Sequence, residues 1–362
     1  MDNCPRGGVV ADDAYLAMLD DRMAALRVPL AGGIELTRRC NLACRHCYGL
    51  AGDAAREPGT DKWLSVLDEI TEAGCLYLLL TGGEPLLRDD FCAIYTRARE
   101  NGLVVTLFTN GTLVDDGVAE LLADMPPHVV EISLYGASEA TCREVCRRPG
   151  VFGATLRGLE KLLSRRIRVR LKTVLMTLNR HEIDAMAQLA AKYGVEFRLD
   201  AAVIPRLDGG REPLTLRVSP EEAVRAELAD SRRLEQWREL LCKVQGPPAL
   251  SAMYNCGAGC TEFYINAEAT VSPCLMVPDP CYSLLDRDFK SGWQDVIPAV
   301  RDLQAAPDFA CNRCEMVMAC DFCPAFFRLE QGSENAVSEH VCRTARLRYE
   351  TILGKDGRRI NE

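Results

Sequence analysis

Hydrophobic residues follow two alternating patterns between Gly33 and about Ile204. Six short runs rich in leucine and β-branched residues have the length of buried strands, and stretches with apolar residues at helical spacing separate them. The helical spacing is clearest over residues 63–70 and 183–193. The predicted strands are Ile34–Thr37, Leu76–Thr81, Val104–Asn110, Val129–Leu134, Ile167–Leu175 and Glu196–Ile204.

Strands that alternate with helices predict an α/β fold with a parallel sheet. A complete eight-unit barrel needs about 250 residues, whereas these six units occupy about 170. We therefore predict a partial (β/α)6 TIM-like barrel, whose open side leaves room for a large substrate. Barrel enzymes build their sites at the carboxyl ends of the strands, so functional residues are expected there.

The rest of the chain divides by composition into four further segments. Residues 205–220 are rich in glycine, proline and charge, and Gly246-Pro247-Pro248 interrupts the chain before a cysteine-rich region. We assign residues 1–32 to an N-terminal extension and 33–215 to the barrel. The remaining predicted segments are a helical linker at 216–250, a cysteine-rich domain at 251–345 and a tail at 346–362.

Composition narrows the function classes. The chain has 362 residues, 48% of them hydrophobic, which is enough apolar material for a core. A net charge of −9 argues against a nucleic-acid partner. Residues 1–27 contain no export signal, and no apolar run reaches the roughly 18 residues of a membrane span. We expect a cytoplasmic protein, so its 18 cysteines are interpreted as metal or cluster ligands rather than disulfides.

Three cysteines follow the first predicted strand at the spacing C-x3-C-x2-C. Cys40, Cys44 and Cys47 are close enough in sequence for their thiolates to meet one iron–sulfur cluster, which normally has four cysteine ligands. Three ligands leave one iron open to a small molecule, as an open position marks catalytic metal sites. A structural zinc site with a distant fourth ligand is the alternative that spacing alone leaves open.

The second predicted strand ends in Thr81-Gly82-Gly83-Glu84-Pro85. Two glycines at this end let the backbone approach a ligand closely, and Glu84 offers an acceptor for an ammonium group. An isolated Gly-Gly-Glu is usually an ordinary turn. One β/α unit after a three-cysteine loop, it is a specific signal.

The paired motifs resemble those of the radical S-adenosylmethionine (SAM) superfamily, with His46 where that family usually has an aromatic residue. The resemblance implies that the three cysteines bind a [4Fe–4S] cluster whose free iron chelates the amine and carboxylate of SAM. Reductive cleavage of SAM would then yield a 5′-deoxyadenosyl radical. By the same resemblance, Gly82, Gly83 and Glu84 bind the amine, and backbone around Tyr48 binds the adenine.

Further SAM contacts are expected where later strands end. Thr109 and Asn110 close the third strand and Ser133 the fourth, and polar residues at such places contact the ribose and carboxylate in this family. Lys172 on the fifth strand is another candidate. The alternation of a strand is equally compatible with a solvent-facing Lys172.

Eight more cysteines lie between Cys256 and Cys342, enough for two four-cysteine sites. Two structural zinc ions are the physical alternative. The arrangement resembles the SPASM domain, which implies two auxiliary [4Fe–4S] clusters and so three clusters in total. Ala269 at a usual glycine and a short Cys320–Cys323 spacing are departures from that pattern. The implied ligands are Cys256, Cys260, Cys274 and Cys323 for the first auxiliary cluster, and Cys311, Cys314, Cys320 and Cys342 for the second.

Most of the other seven cysteines are interpreted as small core residues, because free cysteine is among the most buried residue types. Cys142 and Cys146 lie four apart on a predicted helix, a spacing that allows them to face the same way, but two thiols make an incomplete metal site. None of the four histidines has a catalytic context. The seven cysteines are 4, 75, 92, 142, 146, 242 and 281.

The SPASM resemblance implies an oxidoreductase that modifies a side chain of a ribosomally made peptide. Full cysteine ligation of both auxiliary clusters points to electron transfer or structural support. The implied partners are a precursor peptide and a one-electron donor such as flavodoxin or ferredoxin. About 33 residues precede the first strand, too few for a leader-binding module, so a separate small leader-binding protein is also expected.

Three alternatives stay open. A formylglycine-type sulfatase maturase carries an aspartate base directly after the third ligand of the first auxiliary site, whereas Leu275 follows Cys274 here. A dehydrogenase or epimerase acting on a small aminosugar or amino acid is the second alternative. A non-catalytic iron–sulfur or zinc-stabilised interaction protein is the third, but it would not need Gly82-Gly83-Glu84 beside an open three-cysteine site.

Overall fold

The computed structural model describes residues 21–50, 56–243, 252–320 and 323–353. The six predicted strands are present in sequence order, parallel to one another and connected through helices. The strands are β1 Ala31–Glu35, β2 Tyr77–Thr81, β3 Val104–Thr109, β4 Val129–Ser133, β5 Val169–Val174, β6 Glu196–Asp200, β7 Glu262–Ile265, β8 Thr270–Ser272 and β9 Tyr282–Ser283. The helices are α1 Thr60–Glu72, α2 Phe91–Glu100, α3 Asp116–Asp124, α4 Glu139–Cys146, α5 Val151–Ser164, α6 Ile183–Tyr193, α7 Pro220–Leu228, α8 Ser231–Lys243, α9 Phe289–Ser291, α10 Pro324–Gln331 and α11 Glu339–Leu353.

Strand β1 begins three residues before the predicted run. Ala31, Gly32 and Gly33 have no side chain typical of a strand, yet their backbones pair with β2 on one side and β7 on the other. Small residues are needed because a Cβ on Gly32 would lie 2.1 Å from the Phe263 ring. Tertiary packing therefore places the strand where local propensity did not.

The cysteine-rich region shares its sheet with the barrel. Strand β7 pairs in parallel with β1, and β8 and β9 add antiparallel strands beyond it. The strand order is β6-β5-β4-β3-β2-β1-β7-β8-β9. The boundary predicted near residue 250 therefore does not interrupt the sheet, and the domain assignment stays a prediction.

The helices cover the outer face of the sheet with the apolar residues that the spacing indicated. Trp63, Val66, Leu67 and Ile70 of α1 are fully buried. In α6 the buried residues are Met186 and Ala190, whereas the ends of that predicted stripe are only partly buried. Burial of this kind supplies most of the stability of an amphipathic helix.

The segment predicted as a linker packs against the C-terminal region. It bends through a turn at Glu212–Leu216, and the predicted helix after it is divided into α7 and α8. Arg217 forms a 2.6 Å ion pair with Glu330 of α10. None of the helices in the described ranges is both long enough and apolar enough to cross a membrane.

Candidate active site

A cavity of about 1380 Å³ opens at the carboxyl ends of the strands. Its lining includes Cys40, Cys44 and Cys47 from the loop after β1 and Cys274 from the C-terminal region. This is the position in which barrel enzymes place their sites. The two cysteine constellations of the sequence therefore meet in one cavity.

The three-cysteine loop is held from outside by helix α4. The backbone N–H groups of Ala43 and Arg45 donate to the carbonyls of Cys146 and Val145, at 3.1 and 2.9 Å. Within the loop, the Cys47 N–H donates to the Cys44 carbonyl at 3.1 Å. These backbone bonds fix the course of the loop that carries the thiols.

The three thiols lie close enough to influence one another. Burial raises the pKa of Cys40 to about 11, and the charges of Cys44 and Cys47 add to that effect. The pKa of Cys44 is raised mainly by a hydrogen bond with the Cys146 thiol, and burial is the second largest cause. Burial also raises the pKa of Cys47. A bound positive group is what would favour the thiolate forms here.

The donor set is three cysteine sulfurs, which are the ligands that iron–sulfur clusters use. Cys40, Cys44 and Cys47 all line the cavity, so a cluster held by them would face it with one iron free of a protein ligand. These residues therefore fit a [4Fe–4S] cluster.

Gly82 and Gly83 line the cavity, and the loop backbone crosses directly over them. A Cβ on Gly82 would lie 2.6 Å from the Thr37 carbonyl, and one on Gly83 would lie 2.3 Å from the Arg39 carbonyl. The Gly83 and Glu84 N–H groups donate to these same carbonyls at 2.7 and 2.8 Å. The two glycines thus seat the cysteine loop, and their predicted contact with the SAM amine stays a prediction.

The Glu84 side chain points into the protein and is not among the cavity-lining residues. Its carboxylate accepts hydrogen bonds from the Thr109 hydroxyl at 2.8 Å and the Asn110 N–H at 2.7 Å. Burial raises the pKa of Glu84 to about 7, although these bonds and one from the Leu86 N–H oppose the shift. The structure thus gives Glu84 a positioning role, and its contact with the SAM ammonium stays a prediction.

The other SAM candidates line the cavity. Thr109, Asn110 and Ser133 lie at the ends of their strands, and the Asn110 side chain donates to Asn41 of the cysteine loop at 2.8 Å. Tyr48 also lines the cavity, and its backbone carbonyl accepts from the Leu207 N–H at 3.0 Å. Their contacts with SAM stay predictions.

Lys172 faces the cavity rather than solvent. Its Nζ lies 2.8 Å from the centroid of the Phe108 ring and 3.8 Å from Oε2 of Glu131. Burial lowers the pKa of Lys172 to about 7, and the charge of Glu131 opposes the shift only in part. Strand alternation alone allowed the Lys172 side chain to point either way. In the structure it points to the inner face of the curved sheet, which forms the cavity wall, whereas the helices cover the outer face.

The His46 ring packs in the way expected of the aromatic residue that the family usually has at this position. Its ring packs edge to face with Tyr135 at a centroid distance of 4.4 Å. Burial lowers the pKa of His46 to about 4, and its buried Nδ1 has no hydrogen-bond partner among the described residues. A neutral ring packed in this way makes the substitution compatible with the family pattern.

Three residues that line the cavity were not predicted from the sequence. Arg147 closes helix α4 in the left-handed region, at φ 55°, where glycine is the usual residue. Glu131 and Arg198 line the same wall as Lys172. Strand alternation could have indicated Arg198. It lies two residues before Asp200 on β6, so the two share a face, and both line the cavity.

The C-terminal thiols form two neighbourhoods. Burial raises the pKa of Cys274, and the charges of Cys323 and Cys256 add to it. Burial likewise raises the pKa of Cys311 to about 12, with added contributions from Cys342 and Cys314. These neighbours belong to the two predicted ligand sets, whose assignment stays a prediction.

Leu275 and Met276 line the cavity beside Cys274. The position after the third ligand therefore does face the site, and it presents an apolar side chain there. Leucine cannot accept a proton, so the base of a sulfatase maturase is missing at that position.

The prediction that most of the remaining cysteines are core residues holds for three of the five whose side chains are described. Cys75, Cys142 and Cys146 are buried. Cys92 and Cys281 are exposed and are the exceptions. Exposure follows from helix phase and loop position, which the residue type alone does not fix. Cys4 and the side chain of Cys242 lie outside the described residues.

Comparison with known proteins identifies relatives of both the sequence and the fold. Residues 34–190 match the Radical SAM superfamily. AdoMet-dependent heme synthase of Methanosarcina barkeri is 27% identical over 80% of this chain and 90% of its own length. Mycofactocin maturase MftC of Mycolicibacterium smegmatis is 29% identical over 82% of this chain and 78% of its own.

A solved structure extends the likeness to nearly the whole chain. SuiB of Streptococcus suis, bound to its precursor peptide SuiA, has a TM-score of 0.70 at 16% identity. The match covers 94% of this chain and 83% of SuiB. It concerns the fold, and it confirms the predicted partial barrel with a C-terminal extension.

Proposed function

We propose that this chain, whose residues 34–190 match the Radical SAM superfamily, is a radical SAM enzyme that oxidises a side chain of a ribosomally made peptide. The single observation that supports a polypeptide substrate is the cavity of about 1380 Å³. It reaches from the three-cysteine loop to Cys274, and although SAM and a cluster would fill part of it, the whole exceeds most small-molecule sites, which measure about 300–1,000 Å³. MftC is a maturase, and SuiB binds a precursor peptide, which favours the same substrate class here.

The chain's own residues hold and orient the reactants. Cys40, Cys44 and Cys47 would bind one [4Fe–4S] cluster, and Gly82 and Gly83 seat their loop. When bound, this cluster supplies the electron that cleaves SAM, and auxiliary clusters accept the electron that the substrate loses. Formation of a new bond removes two hydrogens from the peptide: one ends in 5′-deoxyadenosine, and the other leaves as a proton and an electron.

Three clusters per chain are part of this proposal. Cys256, Cys260, Cys274 and Cys323 would bind the first auxiliary cluster, and Cys311, Cys314, Cys320 and Cys342 the second. Iron analysis after anaerobic reconstitution should show that replacing Cys40, Cys44 and Cys47 by alanine removes one cluster and leaves two. Zinc bound tightly in place of the auxiliary iron would contradict this assignment.

The substrate is tested with precursor peptides encoded near this gene. The peptide is incubated with SAM and either a low-potential chemical reductant or reduced flavodoxin or ferredoxin. An oxidative cross-link should lower the mass of the peptide by about two mass units, the mass of two hydrogens. A separate leader-binding protein, if one is encoded nearby, belongs in the same reaction. Formation of 5′-deoxyadenosine with every peptide unmodified would exclude the peptide substrate.

A tetrapyrrole is the second candidate substrate, because the heme synthase of Methanosarcina barkeri matches 80% of this chain. The cavity lining also includes seven basic and five acidic residues, a balance that suits carboxylate-bearing molecules. Incubation with an iron porphyrin in place of the peptide separates the two, since each substrate gives its own change in mass. Turnover of an aminosugar or free amino acid would support the small-molecule alternative.

A further inference from the structure

Two cations on the strand wall of the cavity have no role in the proposal so far. Lys172 of β5 and Arg198 of β6 are direct partners in the sheet register, and both line the cavity. Register partners project from the same face of a sheet, so their side chains point the same way. Strands of a parallel sheet are usually aliphatic on both faces, which makes two adjacent cations at this position unusual.

Neither carboxylate on this wall, Glu131 or Asp200, makes a hydrogen bond to Lys172 or Arg198. Oε2 of Glu131 lies 3.8 Å from Lys172 Nζ, and Oε1 lies 3.8 Å from Arg198 Nη1, both beyond hydrogen-bond distance. The hydrogen bond of Glu131 goes instead to Arg170, at 2.6 Å. Glu131 thus lies near three cations but hydrogen-bonds only Arg170, which also pairs with Glu196 at 2.9 Å.

The Lys172 ammonium donates no hydrogen bond to a described residue, and it rests on the Phe108 ring. Asp200 also lines the wall, but its Oδ1 accepts from the Ala202 N–H at 2.8 Å. The ammonium is largely removed from water, and the Phe108 ring and a carboxylate at 3.8 Å replace only part of its hydration. An incoming anion would restore the missing interaction, and the neighbouring guanidinium offers further donors to it.

We propose that Lys172 and Arg198 together bind a carboxylate of the substrate. This inference rests on the proposed function, because it places the substrate in the same cavity. For a peptide, the anion is an acidic side chain or a terminal carboxylate near the residue that is modified. The carboxylates of a porphyrin have the same chemistry and are the other possible source.

The carboxylate of SAM is the alternative ligand for this pair. Strand β5 is four strands away from β1, whose following loop carries Cys40, Cys44 and Cys47, and both strands line the same cavity. The contact of Lys172 with SAM stays a prediction, and a SAM titration of the Lys172 variants separates the two ligands.

The test measures binding to the reconstituted holoenzyme with SAM, independently of turnover. One probe is a mixture of random octapeptides that each contain one glutamate, in competition with the same mixture containing glutamine. Mass spectrometry of the retained peptides gives the enrichment. The second probe is coproporphyrin III against its tetramethyl ester, titrated by absorbance. Variants are Lys172→Met, Lys172→Arg and Arg198→Gln, with exposed Lys192→Met as the matched control.

We expect the wild type and Lys192→Met to enrich glutamate peptides about ten-fold. Lys172→Met and Arg198→Gln should lose that enrichment, Lys172→Arg should keep most of it, and SAM affinity should change less than about two-fold. Equal iron content and melting temperature show that the variants fold. Equal retention of both peptide mixtures, together with equal binding of porphyrin and ester, overturns the carboxylate site. Charge-dependent binding of the porphyrin alone keeps the site and overturns the peptide function.

Discussion

At the residue scale, Glu84 illustrates how burial sets the role of a side chain. Its carboxylate is fully buried and accepts three hydrogen bonds, from Thr109, Asn110 and Leu86. The pKa of Glu84 is nevertheless raised to about 7, because the cost of burying the charge exceeds what those bonds return. Glu84 therefore holds Thr109 and Asn110, which line the cavity, in position.

Replacing Glu84 by alanine should therefore weaken both folding and SAM binding. The buried Thr109 hydroxyl and Asn110 N–H would lose their acceptor, at about 1–3 kcal/mol for each unsatisfied group. We expect a lower melting temperature without SAM, and weaker SAM binding because Asn110 is released from its position. Anaerobic thermal unfolding and a SAM titration measure the two effects.

Glu72→Ala, at an exposed position of α1, is the control and should leave both quantities unchanged. A Glu84→Ala protein with weakened SAM binding but wild-type melting temperature would show that the carboxylate acts on SAM directly. That result would contradict the positioning role and restore the contact predicted from sequence.

Lys172 should make stability depend on pH in a defined direction. Burial lowers the pKa of Lys172 from 10.5 to about 7 in the folded protein, so between these values only the unfolded chain binds the proton. The unfolding free energy contributed by Lys172 therefore rises as pH increases through this window, by at most about 1.4 kcal/mol per pH unit. The charged groups facing Lys172 are Glu131, Arg170, Arg198 and Asp200.

The measurement is anaerobic unfolding of wild type and Lys172→Met at pH 7, 8 and 9. The stability of the wild type relative to the variant should increase with pH. A difference that is constant over the three values would mean that the lysine stays charged in the folded protein, with Glu131 as a sufficient partner.

At the element scale, contact between the β2 end and the cysteine loop decides where the thiols lie. Gly82 and Gly83 leave the space that the Thr37 and Arg39 carbonyls fill, and backbone hydrogen bonds close the contact. Helix α4 fixes the same loop from its other side through the Cys146 and Val145 carbonyls. Two elements distant in sequence thus define the geometry of an eight-residue motif.

Gly83→Ala should displace the cysteine loop and lower the occupancy of its cluster. The added Cβ would lie 2.3 Å from the Arg39 carbonyl, which is backbone and cannot rotate away. We expect less iron per chain and no effect of added SAM on the electron paramagnetic resonance spectrum of the reduced protein.

Gly59→Ala is the matched control, because its Cβ would meet nothing within 4 Å. It should keep wild-type iron content and the wild-type response to SAM. Full cluster occupancy in Gly83→Ala would show that the loop can shift without losing its ligand geometry.

At the scale of the whole molecule, the barrel and the C-terminal region form one structure. Strand β7 continues the barrel sheet, and the main hydrophobic core extends from the barrel to Phe263, Phe289 and Trp293. The Arg217–Glu330 pair joins the segment after β6 to helix α10 at 2.6 Å, with both side chains nearly buried. The cavity depends on this union, since both parts line it.

Arg217→Met should destabilise the entire protein by about 3 kcal/mol, because it leaves the Glu330 carboxylate buried without its cation. The double variant Arg217→Met/Glu330→Gln should recover part of the loss, since the remaining amide is neutral. Thermal unfolding monitored by circular dichroism and by cluster absorbance should show one shared transition. Separate transitions for the two signals would mean that the barrel and the C-terminal region unfold independently.

The sequence by itself determined the elements and the donor atoms. Alternation of strand-length and helical patterns predicted the six parallel strands, because parallel sheets need helices to cover their faces. The spacing of Cys40, Cys44 and Cys47 and the following Gly82-Gly83-Glu84 indicated the chemistry, since these motifs are local in sequence. Local patterns of this kind survive in any tertiary context that buries one face of each element.

Tertiary structure alone decided which side chains share the cavity. The pairing of β7 with β1, the inward direction of Lys172 and the enclosure of Glu84 each depend on contacts between residues far apart in sequence. The direction of the Lys172 side chain follows from the curvature of the sheet, and the charge states of Lys172 and Glu84 follow from their burial. Neither is encoded by residue type or spacing, because both are properties of the surroundings that the folded chain creates.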